Sequence, residues 1–245
     1  MREWIIGRNP VYEVLRTGRR QIFRLLIAQG VQEKGRITDL IKLAAERRIT
    51  VEKVIHQQLD PLGYGHQGIA LEVSGYPYST LQDILEVARI KAEHALILIL
   101  DQLQDPQNFG TLLRTAESTG VDGIILPLRH TTTVTPAVVS SSSGACEHLL
   151  ITQANLIQAI TQLKENGLWI FGLDGSPSSQ YVERVNLDGP IAIVVGSEGE
   201  GLRSLVRESC DVLLSLPMQG NISSLNASVA GSIVLYLIWE RRGWK

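Results

Sequence analysis

Cysteine is scarce: Cys146 and Cys210 are the only two thiols in 245 residues. Two widely spaced thiols exclude a disulfide framework and fit a reducing compartment. Long apolar runs are missing as well. The longest, residues 95–100 and Ile191–Val195, fall far short of the roughly 20 residues that a membrane-spanning helix needs. The opening MREWIIGRNP carries charge, and no continuous apolar stretch follows it, so no signal peptide is expected. An excess of one charge sign is also absent. The 23 Lys/Arg and 25 Asp/Glu leave a net of −2, which excludes a globally basic nucleic-acid binder. Gly 22 and Pro 9, in a chain 44% hydrophobic and 20% charged, exclude a disordered or collagen-like polymer. There is no internal repeat. What remains is a globular profile of one or two domains, expected in the cytoplasm.

The small net charge hides an asymmetry. Residues 1–74 hold 12 Lys/Arg against 8 Asp/Glu, a net of +4, whereas residues 93–245 hold 9 against 15, a net of −6. A basic module joined to an acidic one is compatible with RNA delivery to a catalytic domain; chance surface variation is the alternative. In the first segment, residues 10–15 read as a short helix with Asn9 as cap and Pro10 at its first position. Ile22–Ala28, 50–55 and 68–73 read as strands, and 36–47 as a helix. Residues 75–79, GYPYS, punctuate a boundary, and 81–92 reads as a connecting helix. Beyond it, apolar strands are expected at 95–100, 123–126, 149–151, 168–173, Ile191–Val195 and 212–216. Helices at 110–118, 136–142, Leu156–Glu165 and 225–240 separate them. Strands apolar on both faces imply a parallel sheet covered on both sides, an α/β fold.

Ligands of open parallel sheets sit at the carboxyl ends of the strands, and three polar loops leave such ends. The first, 101–114, contains Asp105-Pro106-Gln107-Asn108 and Arg114. Asn108 reads as a cap, and Arg114 as a cation in the first turns of a helix, where the dipole disfavours it and an anionic partner would explain it. A solvated Arg114, or one paired with Glu117, is the bland alternative. The second loop, Gly196-Ser197-Glu198-Gly199-Glu200-Gly201-Leu202, is no phosphate loop. It lacks a following Lys-Ser/Thr, and its acids suit a neutral or cationic ligand. The third, LPMQGNISSLN at 216–226, concentrates Ser223, Ser224 and Asn226 at a helix start, where capping is the alternative. Leu225, Val229, Ile233 and Leu237 then line one helical face, widened by Ala230, Val234 and Ile238. Such breadth suggests burial on more than one side. The five histidines show no metal-ligand spacing.

Together the three loops, in this order and spacing, resemble the SpoU-type (TrmH-like) branch of the SPOUT methyltransferases. The resemblance covers residues 94–245. Residues 1–74 are similar to the family's L30e-like RNA substrate-binding domain, through Ile6-Gly7-Arg8-Asn9-Pro10-Val11 and His66-Gln67-Gly68-Ile69-Ala70, with 75–93 as linker. The resemblance implies a SPOUT-type parallel sheet with a C-terminal trefoil knot, which general topology rules would argue against. It implies S-adenosylmethionine as cofactor, contacted by Gly196, Gly201, Leu216, Met218 and Leu225. It also implies a homodimer, no metal, and an RNA substrate, here a guanosine of 23S ribosomal RNA. Arg114, Asn108, Glu198, Ser224 and Asn226 are the implied catalytic group. An arginine base is awkward, because its pKa lies above about 12; binding phosphate and polarising the ribose hydroxyl suits Arg114 better. Arg8, Arg19, Arg20 and Arg24 are candidates for RNA affinity. A transfer-RNA ribose, a non-catalytic RNA-binding or assembly protein, and a resistance-type methyltransferase are the alternatives. A nicotinamide enzyme lacks its G-x-G-x-x-G after the first strand.

Overall fold

The computed structural model describes residues 2–222 and 224–244, with the backbone alone for Glu93; Ser223 lies outside the described residues. Along the chain run β1 (Arg2–Ile6), α1 (Arg8–Thr17), β2 (Ile22–Ala28), α2 (Arg36–Glu46), β3 (Thr50–Val54) and β4 (Ile69–Ser74). Then come α3 (Leu81–Lys91), β5 (Leu96–Leu100), α4 (Pro106–Ser118), β6 (Gly123–Pro127), α5 (Pro136–Ser141) and β7 (Ile151–Ala154). The chain finishes with α6 (Leu156–Glu165), β8 (Trp169–Leu173), β9 (Gln180–Tyr181), β10 (Ile191–Val195), α7 (Ser204–Glu208), β11 (Val212–Ser215) and α8 (Ala227–Arg241). Two compact units form. One is the chain up to Pro77 together with Thr133–His148; the other is Tyr78–Thr132 with the chain from Leu149 on.

The first unit is built on a four-stranded sheet in the order β1-β4-β2-β3. The central β4 is antiparallel to both neighbours, and β3 runs parallel to β2. Helices α1 and α2 bury Val11, Val14 and Leu15, and Ile37, Leu40 and Ala44, at the three- and four-residue spacing of one helical face. The helix expected at 10–15 is longer than the pattern showed. It starts at Arg8 behind Gly7, whose φ is +91°, and no side chain caps it; Asn9 lies inside the first turn. Strand β1 has no apolar run to announce it, because Arg2 and Glu3 occupy its start. Its pairing with β4, from Arg2↔Ser74 to Ile6↔Ala70, defines it.

Segment 133–148 is fastened to this unit by polar bonds. Arg20 Nη2 lies 2.7 Å from Glu147 Oε1, and its Nη1 3.0 Å from Glu3 Oε2. The Arg20 and Glu147 side chains are completely buried. The Tyr76 hydroxyl donates to the Cys146 carbonyl at 3.0 Å, and His148 Nε2 sits 2.8 Å from Glu13. Nothing in the pattern of 133–148 announces this packing.

In the second unit all neighbouring strands are parallel, in the order β7-β6-β5-β10-β8-β11-β9. Strands β5, β6 and β10 are buried at every residue, as expected of strands covered on both faces. Ile97, Ile99, Ala192 and Val194 pack with Ile84 of α3 and Ile160 of α6. On the opposite face α8 approaches α4 and β10 at Gly231, where an added Cβ would lie 3.0 Å from Leu112 and 3.2 Å from Val195. The expected weak strand at 149–151 instead spans Ile151–Ala154. Short elements at 180–181 and 204–208 went unforeseen, since neither has room for a period. Strand order reverses between β5 and β10, so the loops leaving their carboxyl ends, Leu100 beside Val195, are neighbours. Such a reversal is where open α/β sheets bind ligands. Among the described residues, no helix is long and apolar enough to cross a membrane.

Candidate active site

Helix α4 begins earlier than the apolar spacing predicted, and this decides what Asn108 does. Asp105, followed by Pro106 at the first helical position, caps the helix by accepting from the amides of Gln107 and Asn108. The sequence expectation of Asn108 as cap is therefore corrected, and its side chain is available for other bonds. Asn108 Nδ2 donates to the Glu198 carboxylate of the glycine-rich loop. Its Oδ1 accepts from Asn226 Nδ2 at 3.3 Å. Asn226 in turn caps α8, its Oδ1 accepting from the Ser228 and Val229 amides at 2.9 and 3.3 Å. The buried Ser228 hydroxyl lies 2.7 Å from Asn226 Oδ1 and 3.2 Å from Asn108 Oδ1, its single proton serving one at a time. Each of the three polar loops thus supplies a member of one hydrogen-bonded chain.

This chain borders a cavity of about 660 Å³ at the strand ends. The cavity is lined by Gly196, Glu198, Gly201, Leu216, Met218, Ser224, Leu225 and Asn226, every one singled out from the sequence, and by Leu173, Asp174, Ser176 and Arg207, which were not. A second hollow of about 370 Å³ shares Ser197, Glu198 and Glu200. Gly196 admits no side chain: a Cβ there would lie 2.3 Å from the Gly201 carbonyl carbon. Ser197 and Gly201 close that turn by bonds of 3.0 and 3.2 Å, with Gly199 and Gly201 at φ +91° and +70°. A turn this tight presents backbone to the cavity where a side chain would otherwise fill it.

Arg114 is placed differently. It is the ninth of thirteen residues in α4, exposed, and outside the cavity lining. The expectation that it sits in the first turns is corrected, and with it the helix-dipole argument, which reaches only the terminal turn. Ser224 is exposed and lines the cavity, while Asn226 does the capping.

Five supporting residues, Asp101, Arg203, Asp174, Ser176 and Arg207, escaped the sequence reading. Asp101, fully buried, accepts from Arg203 Nε at 2.7 Å and from the Arg203 amide at 3.0 Å, which ties the end of β5 to the glycine-rich loop. Asp174 holds Arg207 Nε at 2.8 Å, and Arg207 donates to Ser176 at 2.9 Å. A signal was present: Asp101 and Asp174 each follow directly on an apolar strand. Burial pushes the nearby Cys210 thiol up to about 12, so it stays protonated.

Of the four arginines singled out for RNA affinity, three are engaged within the first unit. Arg20 is bound to Glu147 and Glu3, and Arg24 to Glu72 and Glu52. Arg19 donates to the Glu147 and Pro77 carbonyls. The histidines also depart from expectation, because the fold gathers His56, Asp60 and His66 with ligand atoms within 4.8 Å of one another. Yet His66 Nδ1 accepts the Gly68 amide at 3.1 Å. The proton is therefore on Nε2, which faces Asp60 at 3.1 Å. A metal on that nitrogen would need an imidazolate or the loss of the Gly68 bond.

Comparison with known proteins identifies the family. The model of the SpoU rRNA methylase family matches residues 95–236, and that of the RNA 2'-O ribose methyltransferase substrate-binding domain matches 4–79. A Bacillus subtilis protein named for the TrmH family of tRNA/rRNA methyltransferases is 38% identical over 244 residues, covering 98% of this chain and 96% of its own. A Staphylococcus aureus protein named likewise is 40% identical over 240 residues, covering 97% and 96%. Among solved structures, the SpoU methyltransferase AviRb from Streptomyces viridochromogenes, in complex with AdoMet, superposes with a TM-score of 0.81 at 22% identity, covering 100% of this chain and 92% of its own. An AdoMet-bound rRNA methyltransferase from Sinorhizobium meliloti gives 0.81 at 22%, covering 98% and 87%. These two show likeness of fold. By the family match and the relatives, the chain belongs to the SpoU (TrmH-type) family and is an S-adenosylmethionine-dependent RNA 2'-O-methyltransferase.

Proposed function

We propose that the protein methylates the ribose 2'-hydroxyl of a guanosine in 23S ribosomal RNA, as RlmB-type members do. The observation that supports the methyl-transfer part of this reading is the chain Glu198–Asn108–Asn226, one residue from each of three strand-end loops, at the edge of the cavity. The cavity suits S-adenosylmethionine. Its volume lies within the ~300–1,000 Å³ range of small-molecule sites. Leu173, Leu216, Met218 and Leu225 offer apolar wall, Gly196 leaves room for close backbone contact, and Glu198, Glu200 and Asp174 suit a cationic ligand. The cofactor supplies an activated methyl on a sulfonium, whose departure as a neutral thioether calls for no metal.

The chain's own part is alignment and electrostatic placement. Gly196, Gly201, Leu216, Met218 and Leu225 hold the cofactor. Glu198 keeps the loops together and positions the target; Asn108, Ser224 and Asn226 orient the ribose. Arg114, presented on the exposed side of α4, binds the RNA phosphate and polarises the hydroxyl, which gives up its proton to solvent as its oxygen takes the methyl and the thioether leaves.

In this reading residues 1–74 form an L30e-like RNA-binding domain, 75–93 a linker, and 94–245 a methyltransferase domain closed by a trefoil knot. The protein acts in the cytoplasm as a homodimer. Support for the dimer comes from α8 and the residues before it: Leu225, Val229, Ile233 and Tyr236 remain 39–45% exposed in one protomer, an apolar stripe at helical spacing.

The test is transfer of labelled methyl from S-adenosylmethionine to ribosomal and transfer RNA from a strain lacking the enzyme, followed by mapping of 2'-O-methyl sites. One labelled guanosine in 23S RNA is expected. Label in transfer RNA alone overturns the substrate assignment and keeps the chemistry.

A further inference from the structure

The first unit contains five aromatic residues, Trp4, Tyr12, Phe23, Tyr64 and Tyr76. Four of them are occupied. Arg24 lies over Trp4 at 5.3 Å, Arg36 over Tyr12 at 3.9 Å, Arg2 over Phe23 at 4.1 Å, and Arg19 and Arg20 over Tyr76 at 5.4 and 5.2 Å. The unit's arginines therefore cover its own rings, a favourable cation–π arrangement. Tyr64 is the exception: it is fully solvent-exposed and has no ring partner among the described residues.

Its loop packs on the start of the unit. Gly63 and Gly65, at φ +136° and +80°, flank the tyrosine. A Cβ on Gly63 would lie 2.9 Å from Ile6, and one on Gly7 3.6 Å from the Gly65 carbonyl, so the loop is pressed against the β1–α1 junction. Behind it the buried His66 bonds Asp60 on one side and the Gly68 amide on the other. The Gln67 side chain accepts from the Arg8 amide at 3.1 Å. Tyr64 is thus exposed on a loop that packs on Ile6 and Gly7, next to Arg8 in the chain.

Arg8 is the one of the four arginines singled out for RNA affinity whose guanidinium finds no partner among the described residues. It is half-buried, and its Nε is buried without a hydrogen bond. A buried, unsatisfied donor is unfavourable in the free protein, and turning the Arg8 side chain out to meet an anion oxygen relieves it.

We propose that Tyr64 and Arg8 form a recognition point for single-stranded RNA. An unpaired base stacks on the Tyr64 ring, and a backbone phosphate next to it is bound by the Arg8 guanidinium. The chemistry is sequence-tolerant, since every base has a π-face, and it selects an unpaired segment over a duplex, whose bases are already stacked. The proposal rests on the reading of the protein as an RNA methyltransferase and names the part of the RNA that the first unit holds.

The test uses the full chain with a 12-nucleotide single-stranded oligoribonucleotide and the same sequence as a duplex. Tyr64→Ala is expected to weaken single-strand binding about tenfold, as loss of one stacked base does, with Tyr64→Phe close to the parent. Arg8→Gln is expected to weaken it and to lower the salt slope by about 0.7, the value for one phosphate on a single strand. S-adenosylmethionine affinity, unchanged in all three, reports that the fold is intact. In Tyr64→Trp, the single strand is expected to quench the new indole and the duplex to leave it bright. Equal affinity of Tyr64→Ala and parent, or equal quenching by both probes, overturns the proposal. Methyl transfer by the parent protein, measured alongside, fails only if the wider functional reading is wrong.

Discussion

Charged side chains behave differently in the two units. In the first, Arg20 and Arg24 are paired with carboxylates of the same unit, Arg20 with Glu147 and Glu3 and Arg24 with Glu72 and Glu52, so their charge is spent on holding the unit together. In the second, the polar residues that matter, Glu198, Asn108, Asn226 and Ser228, are bonded to one another at the rim of a cavity, on loops that a buried parallel sheet holds in place. One unit uses polar bonds to fasten a distant segment of chain; the other uses them to arrange a site. Charge counting found the basic module but not the groups in it available to a ligand. The three loops could be named in advance because they leave the ends of apolar strands.

The largest loss is expected at Glu147. Glu147→Ala leaves the Arg20 guanidinium buried without its main partner, and a loss of about 3–5 kcal/mol is expected for a broken buried pair. Urea unfolding measures it, and a loss below about 1 kcal/mol would mean that water replaces the carboxylate. Next in size is Arg114→Ala in the second unit. Removing a group that stabilises charge in the transition state typically lowers turnover about 100-fold, and calorimetry should find S-adenosylmethionine affinity unchanged. Unaltered turnover would remove Arg114 from the mechanism.

A smaller effect is expected at Asp105. Losing this cap costs about 1 kcal/mol, frays the start of α4 and loosens Asn108 from Glu198, seen as faster amide exchange at Gln107 and Asn108. The mildest test places one probe in each unit. Burial pushes the Cys146 and Cys210 thiols up to about 12, while an unfolded thiol titrates near ~8.5. With the folded value the higher, this contribution to stability is complete below about pH 8.5 and is lost as pH rises toward 12. Both thiols should resist iodoacetamide near pH 8 in the native protein. Rapid alkylation of one would show that its unit opens locally.

Much of the second unit was legible because its strands are short apolar runs with polar ends. Ile191–Val195 and Leu156–Glu165 appear as read, and the three loops converge as their positions at strand ends implied. Boundaries failed where local chemistry outweighs periodicity. Asp105-Pro106 starts α4 four residues before the first apolar-spaced position expected, and Gly7 starts α1 ahead of Asn9. Asp101 and Asp174 could have been found as acids ending apolar strands. Ser228 could not, since a serine one residue into a helix looks like any other until its neighbours are known.

Sequence alone determined the α/β class, the parallel sheet and the identity of the three loops, because hydrophobic periodicity and turn residues act over a few positions of chain. Only the tertiary structure decided that Asn108 bonds Glu198 and Asn226, 90 and 118 positions away. It alone decided that 133–148 joins the first unit through Arg20 and Glu147, and that the Arg8 guanidinium and the Tyr64 ring find no partner among the described residues where the other candidates are satisfied. A polar group's role depends on which partner reaches it, and reach is set by how the sheets bring distant residues together.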